Sequence, residues 1–101
     1  MQIDLQQERD RLTIRLTGEL DHHAAGSIFS RLGALPAAIP RRCELDLSGV
    51  SFMDSSGIAV VLGLRRRLGF IGSELSVRGV QPQAMRVFHA AGVDRLIKLE
   101  P

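Results

Sequence analysis

Three stretches of this sequence alternate apolar with polar residues: Leu12-Thr13-Ile14-Arg15-Leu16-Thr17, Cys43-Glu44-Leu45-Asp46-Leu47-Ser48 and Leu75-Ser76-Val77-Arg78. A period of two turns every second side chain to the same side, so each reads as a strand with one apolar and one polar face. Helically spaced apolar runs separate them. Such a chain builds a sheet with crossover helices, but the central strands of a doubly wound sheet are apolar throughout, because both faces are covered. Here only one face is written to be covered. The expected architecture is an α/β fold: a mixed sheet, helices packed mainly on one face, and a largely bare polar face opposite.

The order of elements follows from the punctuation. Ile3-Asp4-Leu5 opens a further alternating segment and Glu8-Arg9-Asp10-Arg11 reads as a polar turn, so the first two strands should pair as a hairpin. Asp21 is the expected N-cap of a helix carrying Ala25, Ile28, Phe29, Leu32 and Leu35, and Pro36 stops that helix. A loop over 36–42 leads to the strand over 43–48. The second helix is expected over 56–68, with Gly69 and Gly72 around its end. Pro82 fits the first turn of a third helix through Ala91, with Gly92 as its stop, and a short last strand is expected over 95–99. The order is ββαβαβαβ in a single domain over residues 1–101, without repeats.

Composition narrows the function classes. With 45% hydrophobic residues among 101, the chain can bury a core and is no disordered regulator. Four Phe with no Trp or Tyr make a poor stacking platform for single strands. A net charge of +2, with Arg65-Arg66-Arg67 the longest basic run, argues against nucleic acid as a direct partner. That run suits the C-terminal end of the second helix, where cations complement the dipole. No apolar stretch has membrane length and no secretory leader pattern is present. The single cysteine, Cys43, sits in an alternating strand and is expected to be a small buried residue. The expectation is a cytoplasmic monomer with no cofactor and no membrane partner.

Chemistry concentrates at one junction. In Ser51-Phe52-Met53-Asp54-Ser55-Ser56-Gly57-Ile58-Ala59-Val60 a strand runs into an acid-serine-serine-glycine turn, and an apolar helical run follows. Hydroxyls there lie beside unpaired N–H groups at a helix N-terminus, where the dipole favours an anion. Two uses fit: capping the helix, or presenting a hydroxyl for phosphorylation. Asp54 can orient an acceptor hydroxyl or close an Asx loop, and the sequence leaves both open. His22 and His23 invite a metal reading, but neighbours on a helix point about 100° apart. No second ligand cluster stands at metal spacing, which favours a helix-start or interface role. Asp54 superficially suits a receiver domain, yet the acidic pair after the first strand is missing, the strands alternate and the chain is short. Ser55, His89 and Asp21 make a hydrolase triad only on paper, without a Gly-x-Ser-x-Gly elbow.

Thr17-Gly18-Glu19-Leu20-Asp21-His22-His23, then Leu45-Asp46-Leu47 through Phe52-Met53-Asp54-Ser55-Ser56-Gly57-Ile58, resemble the STAS domain of bacterial anti-sigma factor antagonists. Gly18 to His23 draw the resemblance toward the sporulation branch that frees sigma-F. The resemblance implies a protein switch rather than an enzyme. The family's phosphoacceptor maps onto Ser55. In that scheme the unphosphorylated form binds an anti-sigma factor that is also an ATP-dependent serine kinase, displacing the sigma factor. Phosphorylation releases the antagonist, and a metal-dependent serine phosphatase restores it. Many such antagonists continue into another C-terminal helix, which in a chain ending at Pro101 is absent or truncated. A STAS module that only scaffolds, or that binds nucleotide or lipid, is the alternative.

Several residues are candidates for contacting the partner. Asp54, Ser56 and Gly57 flank the acceptor, with Ser56 a cap or hydrogen-bonding neighbour. Glu19 and Asp21 also follow a strand and are expected on the same rim. Ile58, Ala59, Val60, Val61 and Leu62 are apolar through more than a turn, wider than an ordinary surface stripe, so Ile58 or Ala59 is expected beside Ser55 at the surface.

Overall fold

The computed structural model describes residues 1–32 and 39–101. The elements are β1 (Gln2–Gln7), β2 (Arg11–Leu20), α1 (His22–Leu32), β3 (Arg42–Met53), α2 (Ser55–Phe70), β4 (Glu74–Arg78) and α3 (Pro82–Ala90), followed by a single 3-10 turn at Val93–Arg95. The strands form one sheet in the order β1-β2-β3-β4. β1 pairs antiparallel with β2 as a hairpin, and β2, β3 and β4 run parallel. The expected stop of α1 at Pro36, and Leu35 on its face, lie outside the described residues.

The alternation does what a period of two requires. Leu12, Ile14 and Leu16 of β2 and Cys43, Leu45 and Leu47 of β3 are all at most 1% exposed and face the helices. They join Ile28 of α1, Val60, Val61, Leu64 and Leu68 of α2 and Phe88 of α3 in one core. Among the described residues the opposite face is bare of helices and carries an ion-pair lattice. Arg15 Nε donates to Asp46 Oδ2 at 3.1 Å, Arg78 reaches both Asp46 and Glu44, and Arg11 approaches Glu44 at 3.9 Å. Asp46 is only 5% exposed beneath these cations. Burial pushes its carboxyl up, but hydrogen bonds from Ser48 and Arg15 and the charge of Arg78 outweigh it, holding the group below the usual range.

Three expectations need correction. The strand over 43–48 is the first half of β3, which runs on to Met53. Its register against β2 slips between Arg15 and Thr17 and again between Gly18 and Glu19. Each slip inserts one extra residue into β3, so Leu47, Val50 and Met53 are buried three apart instead of two. The last strand over 95–99 is only one parallel bridge, Val77 to Leu99. Val93–Arg95 turns as a 3-10 helix instead, burying Val93 and Ile97. Helix α2 starts at Ser55 and ends at Phe70, longer at both ends than expected. Among the described residues no helix is long and apolar enough to cross a membrane.

Candidate functional site

Parallel strands β2 and β3 end side by side: Leu20 pairs with Met53, and the Asp54 N–H donates to the Leu20 carbonyl at 3.3 Å. The chain therefore enters α1 and α2 from adjacent points, and an aspartate occupies each entry. Asp21 Oδ1 accepts from the Ala24 N–H at 2.9 Å, the N-cap expected of it. Asp54, in extended conformation, accepts from the Ser56 N–H at 2.8 Å through Oδ1, and its carbonyl takes the Gly57 N–H at 3.0 Å. The cap of α2 is thus Asp54 and neither serine. A carboxylate serves as well as a hydroxyl there and adds a charge that the helix dipole favours.

This settles what the two serines do locally. Ser55 is the first residue of α2 and is exposed. Ser56 is half-buried and supplies the backbone N–H that Asp54 caps, a hydrogen-bonding neighbour. Glu19 and Asp21 bring two further carboxylates to the same end of the sheet, Glu19 exposed and Asp21 half-buried. Gly18 has φ +118°, a conformation that strains any L side chain, and it stands at the second register slip just before Glu19. Of the candidates on α2, Ala59 is exposed, whereas Ile58 is half-buried against the core.

Gly57 does not lie on this rim. It is buried, and a Cβ there would collide with Cγ and Sδ of Met53 and come within 3.2 Å of Leu20 Cδ2. The glycine lets α2 settle directly on the strand ends, which fixes the height at which Ser55 emerges. His22 and His23 are both exposed at the start of α1, and among the described residues no group of three or more His, Cys, Asp or Glu is placed to hold a metal ion. The paper triad is not assembled: His89 lies about 9 Å further along α3 than Gln83, which is bonded to Met53. Arg67 is more than a solvated helix end, since its Nη1 donates to the Leu32 carbonyl at 2.7 Å and ties α2 to the last turn of α1.

Sequence reasoning missed two residues here. Phe52 is 43% exposed on β3 opposite Glu19, which gives the acidic rim a large apolar member. Its signal lies in the stretch from Ser51 to Val60, but alternation through Ser48 gives no face for it beyond the first slip. Gln83 on α3 accepts from the Met53 N–H at 2.9 Å through Oε1 and donates from Nε2 to the Met53 carbonyl at 2.8 Å. A lone glutamine in a helix carries no sequence signal for that pairing.

The exposed serine at a capped helix start, beside the end of a neighbouring parallel strand, sits within an extensive match to a known family: the STAS domain family model covers residues 2–101. The chain belongs to the STAS family. An anti-sigma F factor antagonist from Paenibacillus polymyxa is 34% identical to this STAS domain over 102 residues, covering 98% of this chain and 86% of that protein. The solved structure of the anti-sigma factor antagonist SpoIIAA in its unphosphorylated form superposes with a TM-score of 0.80 at 30% identity, over 97% of this chain and 87% of that one. The Bacillus cell fate determinant SpoIIAA in its phosphorylated form superposes at 0.71, again 30% identical, over 97% and 90%. The STAS fold accounts for the mixed sheet, its one-sided helical layer and the placement of Ser55 where strand β3 hands over to α2.

Proposed function

We propose that this STAS domain is a phosphorylation-controlled antagonist of an anti-sigma factor. The unphosphorylated form binds an anti-sigma factor that is also a serine kinase, and so releases the sigma factor. Phosphorylation of Ser55 ends that binding, and a metal-dependent serine phosphatase reverses it. The observation that carries the reading is the division of labour at the α2 entry: Asp54 caps the helix, which leaves the Ser55 hydroxyl exposed and free of that structural duty. Relatives that are anti-sigma factor antagonists, one of them solved in unphosphorylated and phosphorylated forms, support it.

The physical consequence is direct. A phosphate brings about −1.5 to −2 charges. The N–H groups of Ser56 and Gly57, which would otherwise receive it, are already bonded to Asp54. The new charge therefore faces outward beside Glu19, Asp21 and Asp54, and falls on any partner surface shaped for a neutral hydroxyl. We take Glu19, Asp21, Phe52 and Ala59 as the contacting rim, with Asp54, Ser56 and Gly57 shaping it. Incubation with the cognate kinase and ATP, followed by mass spectrometry, should place the phosphate on Ser55. Phosphate on Ser56, or none, would sink the assignment.

A further inference from the structure

Strand β3 outruns its neighbour. Its pairing with β4 ends at Asp46 opposite Arg78, while its pairing with β2 continues to Met53 opposite Leu20. Among the described residues, the β4-side edge of the last residues of β3 thus has no strand to bond to. A strand residue points its N–H and carbonyl to the same edge, and a primary amide offers one acceptor and one donor side by side. Gln83 meets Met53 in that way, with bonds of 2.9 and 2.8 Å, standing in for a missing strand residue.

What this pairing fixes is the peptide immediately before the acceptor turn. The carbonyl of the Met53–Asp54 peptide is held by Gln83 from α3 at 2.8 Å, and its N–H is held by the Leu20 carbonyl from β2 at 3.3 Å. With both ends bonded to different elements, that peptide plane has one orientation. Asp54 then caps Ser56, and Ser55 lies between the clamp and the cap. The geometry points to Gln83 as a positioning residue for Ser55: it touches neither the hydroxyl nor a phosphate donor, and holds the turn from which the hydroxyl is presented. This deepens the proposed switch and rests on it for the phosphoryl-transfer readout only, since the clamp itself is a property of the free domain.

Two measurements separate the clamp from the switch. In the first, amide hydrogen exchange on the full chain compares wild type with Gln83→Ala and Gln83→Glu, the latter keeping an acceptor for the Met53 N–H but opposing its carbonyl. Exchange at Met53 and Asp54 should quicken at least about tenfold in Gln83→Ala, and at Asp54 in Gln83→Glu, whose retained acceptor still protects the Met53 N–H, while core amides of β2 such as Ile14 stay protected. Unchanged exchange at Met53 and Asp54 would overturn the clamp. In the second, single-turnover phosphorylation by the cognate kinase with Mg-ATP should slow about tenfold for Gln83→Ala at saturating kinase, with the half-saturating concentration little changed, because near-attack geometry is lost before contact area is. Gln81→Ala, which removes a bond to the Ser48 carbonyl instead, is the control and should react as wild type does. Phosphorylation of Gln83→Ala at the wild-type rate, despite loosened amides, would reduce Gln83 to a structural tie and overturn its positioning role. If wild type itself takes no phosphate, the switch reading falls and the positioning role falls with it, while the exchange result still decides the clamp.

Discussion

At Asp54 and Ser55 two adjacent side chains divide tasks that either could perform chemically. Asp54 bonds the Ser56 N–H and carries the stability of the helix start, whereas Ser55 is exposed. Asp54→Ala should therefore cost about 1 kcal/mol in denaturant unfolding. Ser55→Ala should stay within about 0.5 kcal/mol of wild type. The reverse ranking would return the cap to the serine. Cys43 gives a second check at this scale. Burial, helped by the neighbouring charge of Glu44, pushes its thiol up to about 11, and it is 1% exposed. Native protein at pH 8 should resist iodoacetamide until it is unfolded, and fast labelling would contradict the packing of β3. The cysteine was legible from its alternating neighbours. The Asp54 cap was half legible: the Asx loop left open for Asp54 is the bond it accepts from the Ser56 N–H, but a serine and an aspartate in succession both qualify for one N–H, and only the fold decides which side chain takes it.

Among the elements, β3 determines where the site sits, and it was the least legible. Its first half alternates and announced itself. Its second half is spaced three apart by the two register slips, so neither a strand nor a helix period describes Leu47, Val50 and Met53. The slips carry the strand to the height of Leu20, where Gly57 admits α2 onto Met53. Gly57→Ala must push aside a fully buried methionine, and overpacking of that kind costs about 1–3 kcal/mol. Chemical denaturation would measure it, and a neutral result would mean that α2 does not seat as closely as described. The C-terminal segment shows the opposite limit. Arg95 to Leu99 has strand-like composition, yet Arg95 closes a 3-10 turn begun at Val93, Val93 and Ile97 are buried, and the segment makes one bridge, at Leu99. Packing of two apolar residues outweighed local β preference.

The whole molecule is a sheet used differently on its two sides. One face is closed by three helices over an apolar core, and the other holds Arg11, Arg15, Glu44, Asp46 and Arg78 in a lattice of ion pairs. That asymmetry was readable from Thr13-Ile14-Arg15 and Glu44-Leu45-Asp46 alone, since alternate residues of those triplets are written for different environments. What strand patterns left unstated was how a carboxylate buried to 5% exposure on the open face is satisfied. Because the native state holds the Asp46 carboxyl below its unfolded value, the stabilisation is complete above the unfolded pKa, about 4, and is lost as pH falls through the lower native value. Asp46→Asn should be less stable than wild type at pH 7, and the gap should narrow below about pH 4 in thermal melts. A constant gap would mean that the ionised form is not what the arginines hold. The rim formed by the entries to α1 and α2 lies at the end of this scaffold, and its proposed task is binding that a single charge can abolish. The most direct test is titration calorimetry of the cognate anti-sigma factor with wild type and with Ser55→Asp, the fold of each checked by circular dichroism. A penalty of roughly 3 kcal/mol predicts that the variant, folded as wild type is, binds more than a hundredfold more weakly. Equal affinity would contradict the account.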